Sequence, residues 1–139
     1  MHYLKTILTF LVLSLVQSCD PGSIIKYEII NNTAEPIKAK YQFIFGDNDT
    51  FRSGKIVTHE AAIPAGSGKI VNKEFILGYA GDFNETHDSM FLYLLTLQMG
   101  SKVTNLNFKD KKYWVFEKKG ELEGTYKLIA DTALFNKNN

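Results

Sequence analysis

The chain has 139 residues, with 16 Lys and Arg against 15 Asp and Glu, so its formal net charge is only +1. Nucleic-acid binding requires a basic surface, and this near balance of charge argues against it. The length predicts a single domain. The 45% of hydrophobic residues, with 10 Phe, 7 Tyr and 1 Trp, predict a folded domain rather than a disordered one.

The N-terminal segment has the features of a secretory signal. Lys5 precedes an apolar run, residues 6–16 (TILTFLVLSLV). The length of this run lies in the range of about 7 to 15 residues typical of a signal peptide, whereas a membrane-spanning helix needs about 20. Val16 and Ser18 are compact residues three and one positions before Cys19, which predicts cleavage between Ser18 and Cys19.

The stretch Val16-Gln17-Ser18-Cys19 resembles the lipobox of bacterial lipoproteins, in which the cysteine is lipidated and becomes the first mature residue. Gln17 departs from the small residue usual at its position. The resemblance implies that Cys19 carries the lipid, palmitate included, and holds the protein at a membrane of the cell envelope. It also accounts for the single cysteine, since a secreted domain normally has an even number. An ordinary signal peptide that ends before a cysteine is the alternative.

Cleavage at this point divides the chain into a signal peptide (1–18), a short lipidated tether (19–23) and one domain (24–139). Lys5 is the only charged side chain removed, so the mature chain has no net formal charge. This argues against a polybasic attachment to the membrane surface. The predicted membrane contact is therefore the lipid on Cys19.

From Ile24 onward, apolar and polar residues alternate with the period of two that is typical of β-strands. The clearest example is IKAKYQFIF, residues 37–45, in which every second residue is apolar. Clusters of Gly, Asn, Asp, Ser and Pro separate such segments and predict turns. The predicted strands are 24–30, 37–45, 55–63, 69–77, 90–99, 103–108, 112–118 and 125–131.

Two of these strands carry more specific predictions. Val71, Phe75 and Leu77 are expected to share one face of the fourth strand. Residues 90–99 are apolar on both faces, and periodicity alone would also allow a helix. We favour a central strand, because Gly100 ends the segment and its neighbours are strands; the next strand is expected to pair with it as a hairpin.

Eight short strands with turns every 8–12 residues or so, and no convincing helix, predict an all-β fold: an antiparallel sandwich of about seven to eight strands. A small lipocalin-like barrel is the alternative. Trp114 is expected in the core or at its edge in either case. Residues 46–54 and 78–89 are predicted to be long polar loops, and residues 133–135 (ALF) are expected to pack back onto the domain.

The chain as a whole resembles small Gram-negative lipoproteins of unknown function that contain immunoglobulin-like or transthyretin-like sandwiches. The features that carry the resemblance are YEIINNT at 27–33, the IPAGSG turn at 63–68, Trp114 in a late strand and YKLIADT at 126–132. The resemblance implies a sandwich and supplies no catalytic residues.

The sequence predicts no catalytic residues and no cofactor, and hence a protein that is not an enzyme. No nucleophile motif is present, and the only thiol is assigned to the anchor. His59 and His87, with Asp82 near the latter, are weak candidates for a metal site, but a solvated acidic loop is the favoured interpretation. Asp47 and Asp49 resemble the start of a calcium loop that lacks its glycine and terminal glutamate.

The favoured function is a non-enzymatic envelope lipoprotein whose rigid sandwich presents loops to a protein or glycan partner, because binding residues are often placed on loops. An alternative view of the aromatic loop residues is that they cover the ends of the core. The candidate binding residues are Asp47, Asp49, Phe51, Tyr79, Asp82 and Phe83.

Two other functions remain open. One is a carrier of a small apolar ligand, with a barrel cavity lined by residues such as Phe43, Phe75 and Phe91. The other is a metal-dependent hydrolase centred on His59 and His87.

Three N-x-Thr sequons begin at Asn31, Asn48 and Asn84. They would indicate N-glycosylation in a eukaryotic secreted protein and carry no meaning in a bacterial lipoprotein. They are therefore the main argument from the sequence against an envelope location.

Overall fold

The computed structural model describes residues 21–43, 57–86, 90 and 92–136. These residues form eight strands, two short helices and a 3-10 turn at Lys111–Tyr113. The elements are β1 (Gly22–Asn31), β2 (Ile37–Phe43), β3 (His59–Ile63), β4 (Gly68–Leu77), α1 (Ala80–Thr86), β5 (Leu92–Met99), β6 (Lys102–Val103), β7 (Trp114–Lys118), β8 (Glu123–Ala130) and α2 (Thr132–Asn136).

The strands form two four-stranded sheets, which confirms the predicted all-β sandwich. Sheet I has the order β4-β1-β8-β7 and sheet II has the order β3-β2-β5-β6. The described strands make two separate sheets, so the barrel alternative is wrong. One pair departs from the antiparallel pattern: β1 and β8 are parallel, from Ile24 opposite Glu123 to Asn31 opposite Ala130. Alternation of residue types reports the face that a side chain occupies and not the direction of the neighbouring strand, so it could not predict this pair.

Tyr27 lies at the centre of the core between the sheets. Its ring stacks on Tyr126 at 5.6 Å between centroids, contacts Phe43 of sheet II at 4.8 Å and meets Trp114 edge-on at 6.0 Å. Trp114 is buried, as predicted, and its indole N–H donates to the Phe108 carbonyl at 2.8 Å. Burial of each large apolar side chain contributes roughly 1.5–3 kcal/mol, so this aromatic cluster is a main source of stability.

A β-bulge in β4 reverses the predicted faces of that strand. Tyr27 of β1 is opposite Asn72, but the next residue of β1, Glu28, is opposite Ile70, so Val71 is the extra residue of the bulge. Val71 itself points into the core, as predicted. Beyond it, Glu74 is only 5% exposed. The prediction that Phe75 and Leu77 share the face of Val71 is wrong, because the bulge shifts the alternation by one residue.

Phe75 and Leu77 are instead 73% and 74% exposed on the outer face of sheet I. The expectation that Phe75 lines an internal cavity together with Phe43 and Phe91 is therefore also wrong for Phe75. Phe43 is buried in the core, and Phe91 lies outside the described residues.

Several shorter segments sharpen or correct the predictions. Within the predicted segment 90–99, residues 92–99 form the strand β5 in the interior of sheet II, and Gly100 turns it into β6 with a φ of 56°. The next predicted strand, 103–108, is reduced to the two residues of β6. The prediction that the chain contains no helix is wrong, because α1 lies within the predicted loop 78–89 and α2 contains the segment 133–135.

Both helices are too short for a periodic apolar pattern to mark them in the sequence. In α2, Leu134 and Phe135 are buried, which confirms that this segment packs back onto the domain. Within the described ranges, neither helix has the length and apolarity needed to cross a lipid bilayer.

Candidate functional site

The described chain begins at Pro21, at one end of sheet I, where three backbone hydrogen bonds join segments that are distant in the sequence. The Gly78 N–H donates to the Pro21 carbonyl at 2.7 Å, and the Ser23 hydroxyl donates to the Gly78 carbonyl. The Ile24 N–H donates to the Leu122 carbonyl at 2.9 Å, and the Ala80 N–H to that of Glu121 at 3.0 Å. We call this region, residues 21–24, 75–80 and 121–123, the tether end.

An apolar patch covers the outer face of sheet I at the tether end. It consists of Ile24, Phe75 and Leu77, which are 43%, 73% and 74% exposed. Ile24 is opposite Phe75, and Gly22 is opposite Leu77, in the β1–β4 ladder. The Phe75 ring lies directly over Gly22, in space that a side chain at position 22 would need. We refer to Ile24, Phe75 and Leu77 as the tether patch.

A charged row borders the tether patch. Lys26 and Lys73 are opposite one another in the β1–β4 ladder, one step beyond Ile24 and Phe75. The Lys26 ammonium forms an ion pair with Glu123 of β8 at 2.6 Å, and this pair lowers the pKa of Glu123. The outer face of sheet I thus presents three apolar side chains at the tether end, with Glu123 opposite Ile24 in the β1–β8 ladder and the two lysines in the next row.

Helix α1 and the residue just before it contain three of the predicted binding residues. Phe83 is partly buried and packs against the core, whereas Asp82 is exposed and Tyr79, just before the helix, is 45% exposed. Asn84 fixes the helix, because its side-chain oxygen accepts from the Tyr126 hydroxyl at 3.0 Å and its carbonyl accepts from the Lys111 ammonium. Phe83 therefore covers the end of the core, and Asp82 and Tyr79 face outward.

The remaining predicted site residues are not brought into this region. Cys19, Asp47, Asp49, Phe51 and His87 lie outside the described residues.

His59 lies on β3 of sheet II, where its ring stacks on Tyr41 at 5.6 Å between centroids. Helix α1 packs instead on β1, β7 and β8 of sheet I. Among the residues that the structure describes, no three His, Cys, Asp or Glu side chains form a group able to hold a metal ion.

A buried carboxyl group, Glu74, lies behind the tether patch inside the core. The Tyr27 hydroxyl donates to Glu74 Oε2 at 3.0 Å, and the Asn72 amide donates to Glu74 Oε1 at 3.2 Å. Burial raises the pKa of Glu74 to about 7, although the hydrogen bond from Tyr27 acts in the opposite direction. Burial, with the nearby Glu74 charge, also raises the pKa of Tyr27, and that of Tyr126 to about 12.

This arrangement can hold or release one proton at Glu74 near neutral pH while both tyrosines stay protonated. The predicted alternation, with Val71, Phe75 and Leu77 on one face, leaves Glu74 on the other face, and only the bulge at Val71 turns it inward. A bulge depends on the pairing partner, so the β4 sequence alone gives no signal for it.

The first N-x-Thr sequon has a structural role. Asn31 is fully buried, and its amide nitrogen donates to the carbonyls of Glu35 and Ile63 at 2.8 and 3.0 Å. Its side-chain oxygen accepts from the N–H and the hydroxyl of Thr33 at 3.0 and 2.8 Å. These bonds shape the turn after β1, and the buried amide is not accessible for glycosylation in the folded domain.

A shallow groove of about 400 Å³ lies on the outer face of sheet II. Ala39, Ala61 and Ala62 line it together with longer polar side chains. Lys38, Lys40 and Glu60 give it mixed charge. The groove is open and does not enclose an apolar interior.

Comparison of the chain with protein-family models, with curated proteins and with solved structures finds no match. The resemblance to Gram-negative lipoproteins thus stays a prediction. The function of the tether end is therefore inferred from its own residues and from residues 6–19, which precede it in the sequence.

Proposed function

We propose that this protein is a lipoprotein of the cell envelope, anchored to a membrane through lipid on Cys19, and that its sandwich is a non-enzymatic binding or structural module. The observation that carries the proposal is the stretch Val16-Gln17-Ser18-Cys19 directly behind the apolar run of residues 6–16. It stands at the distance from the N-terminus that a signal peptide requires.

The start of the fold supports this proposal. β1 begins at Gly22, so only Asp20 and Pro21 separate Cys19 from the first strand. Each methylene buried in the bilayer contributes about 0.8 kcal/mol, so one acyl chain binds marginally and two or more anchor stably. A multiply acylated Cys19 would therefore hold the domain at the membrane surface without a spanning segment.

The chemistry of the core supports a non-enzymatic role. The side chains with the most strongly perturbed pKa values, Tyr27 and Glu74, are bonded to one another inside the core. Both residues are almost completely buried, at 0% and 5% exposure, where a substrate has no access. A perturbed pKa indicates a functional site when the group lies in a cleft. Here both groups are enclosed in the packed core.

The outward residues beside the tether end supply a contact surface for a partner. Tyr79 is exposed just before helix α1 and Asp82 is exposed on it, and Asn84 fixes this helix to the sheet, so both residues are presented by a rigid support. An aromatic ring beside a carboxylate suits either a protein or a glycan partner.

Replacement of the proposed lipidation site tests the anchor. In Gram-negative cells supplied with labelled palmitate, we expect the wild-type chain to take up label and to fractionate with membranes. Cys19→Ser should take up none. Gln17→Ala is the matched control, because it places a small residue at the mismatched position and should keep the label. A wild-type chain that takes up no label and is released from the cells would overturn the proposal.

A further inference from the structure

We propose that the tether patch, Ile24, Phe75 and Leu77, rests on the lipid bilayer and so holds the domain in one orientation at the membrane. This inference rests on the proposed function, since it takes Cys19 as the point where the acyl chains enter the membrane. Its partner is the interfacial region of a lipid bilayer, where apolar side chains meet headgroups.

The first argument is the distance between the patch and the anchor. Pro21 is fixed to the fold, because its carbonyl accepts from Gly78, the residue that follows Leu77. Cys19 is two residues before Pro21, and each extended residue spans at most about 3.6 Å, so the two Cα atoms are at most about 7 Å apart. Acyl chains on Cys19 therefore bring the tether end to the bilayer surface.

The second argument is the chemistry of the patch. Phe75 and Leu77 each leave nearly three quarters of their surface exposed on the outer face of sheet I. Contiguous exposed apolar side chains mark interaction sites with proteins or membranes. Tyr79 lies two residues beyond Leu77, and tyrosine is enriched where proteins meet the membrane–water interface.

The third argument is the charge that borders the patch. Lys26 and Lys73 form the next row of the sheet, and Lys26 is paired with Glu123, which lies opposite Ile24 in the β1–β8 ladder. Lysines beside an apolar patch are placed to meet anionic headgroups while the apolar side chains enter the boundary of the acyl region. Along sheet I, the patch lies nearest the tether and the lysines lie one row farther away. In a membrane, the acyl chains likewise lie deepest and the headgroups lie nearer the water.

A second copy of the chain is the competing occupant. Among the described strands, β4 is an edge strand of sheet I, and an edge can pair with another chain. The bilayer is favoured because the patch adjoins the proposed anchor, whereas an edge-to-edge dimer has no reason to place its apolar residues at the tether.

The test uses the acylated protein in lipid vesicles. Because acylation blocks Cys19, a new cysteine is the only free thiol, and it can carry an environment-sensitive fluorophore. Leu77→Cys places the fluorophore in the patch. Tyr93→Cys is the matched control, since Tyr93 is 53% exposed on β5 of sheet II. The vesicles contain phosphatidylethanolamine, phosphatidylglycerol and a lipid with a nitroxide at headgroup depth.

We expect a blue-shifted emission and several-fold stronger nitroxide quenching at position 77 than at position 93. Phe75→Asp added to Leu77→Cys should reduce the quenching toward the level of the control, because an ionised carboxylate opposes entry into the interface. Both labelled positions are exposed, so the substitutions leave the core intact.

Three results would each overturn either the membrane contact of the patch or the proposed lipid anchor, and they can be told apart. Equal quenching at positions 77 and 93, in protein whose mass shows an acylated Cys19, overturns the membrane contact of the patch and leaves the proposed function. An unacylated Cys19 overturns the proposed function itself. Weak quenching at position 77 together with a dimer that Leu77→Asp dissociates assigns the patch to a second copy and overturns the bilayer contact.

Discussion

The two faces of β4 beyond Val71 differ in a way that inverts the usual distribution of residue types. On the inner face, the carboxyl group of Glu74 is buried, while on the outer face Phe75 and Leu77 are exposed. The inner face is stable because Tyr27 and Asn72 donate hydrogen bonds to both carboxyl oxygens. The outer face has no comparable support within the described fold, and the proposed bilayer contact would provide it.

This difference shows that one extra residue in a strand, here Val71, can turn a polar side chain into the core and apolar side chains to the surface while the sheet stays paired. The polar side chain needs partners wherever it is buried, and the apolar ones need a cover wherever they are exposed. The four predictions that follow test the core side and the outer side of sheet I, and the attachment of α1 to it, from the largest expected effect to the smallest.

Replacing the central aromatic of the inner face should have the largest effect. We expect Tyr27→Ala to lower the free energy of unfolding by about 3–5 kcal/mol, the range for large-to-small core substitutions of aromatic residues. Phe75→Ala, on the outer face, should change it by less than about 0.5 kcal/mol. Urea denaturation of the two variants measures the contrast. Equal losses would contradict the assignment of the two faces.

Glu74 should make stability depend on pH. Its pKa of about 7 in the folded chain lies above the ordinary value of 4.5. The folded protein therefore binds the extra proton between these two pH values, and the free energy of unfolding should decrease as the pH rises through this window. The loss above pH 7 should be about 3 kcal/mol relative to pH 4.5.

Denaturation curves of Glu74→Gln at pH 5 and pH 8 check this assignment. The variant keeps an acceptor for Tyr27 and cannot ionise, so the decrease between the two pH values should disappear. Glu117→Gln is the control, because Glu117 lies on the surface beside Lys127 and should leave the decrease in place. A Glu74→Gln variant that keeps the wild-type slope would show that another group titrates.

The bond between Tyr126 and Asn84 should contribute less. Asn84→Ala removes the acceptor of the Tyr126 hydroxyl and should cost about 1 kcal/mol, the net value of a typical hydrogen bond. Because the same residue fixes α1, hydrogen exchange of the helix amides should accelerate while that of β8 stays slow. Unchanged exchange in α1 would mean that its other contacts, such as Phe83 and the Ala80–Glu121 backbone bond, hold the helix on the sheet.

The smallest effect concerns the outer face. A side chain at position 22 would collide with the Phe75 ring, which is exposed and can move away. Gly22→Ala should therefore show a coupling to Phe75→Ala of about 0.5–1 kcal/mol in a double-mutant cycle. Strictly additive effects would show that the ring does not rest on Gly22.

Features of the fold that depend on the alternation of residues within one strand could be predicted, and features that depend on which strands pair could not. Alternation reports burial, so β1, β2, β7, β8, the sandwich and the burial of Trp114 could be predicted, whereas the predicted strand 103–108 is reduced to β6. The parallel pairing of β1 with β8 could not, because it depends on which strands are neighbours and not on either sequence. Helix α1 has only seven residues, too few for a helical period to stand out.

The candidate site was less accessible to prediction than the fold. Tyr79 and Asp82 were expected in a polar loop and lie on the surface, but Phe83 proves to cover the core. Glu74 and the tether patch result from the bulge at Val71, whose formation depends on pairing with β1. Sequence patterns identify what a segment contains, and the pairing decides which face it occupies.

The central claim, a lipid anchor on Cys19, is tested most directly by the intact mass of the protein purified from Gram-negative membranes. The account predicts a chain that begins at Cys19 and carries the added mass of several acyl chains on that residue. A chain that begins elsewhere, or that begins at Cys19 with an unmodified thiol and amine, would contradict it.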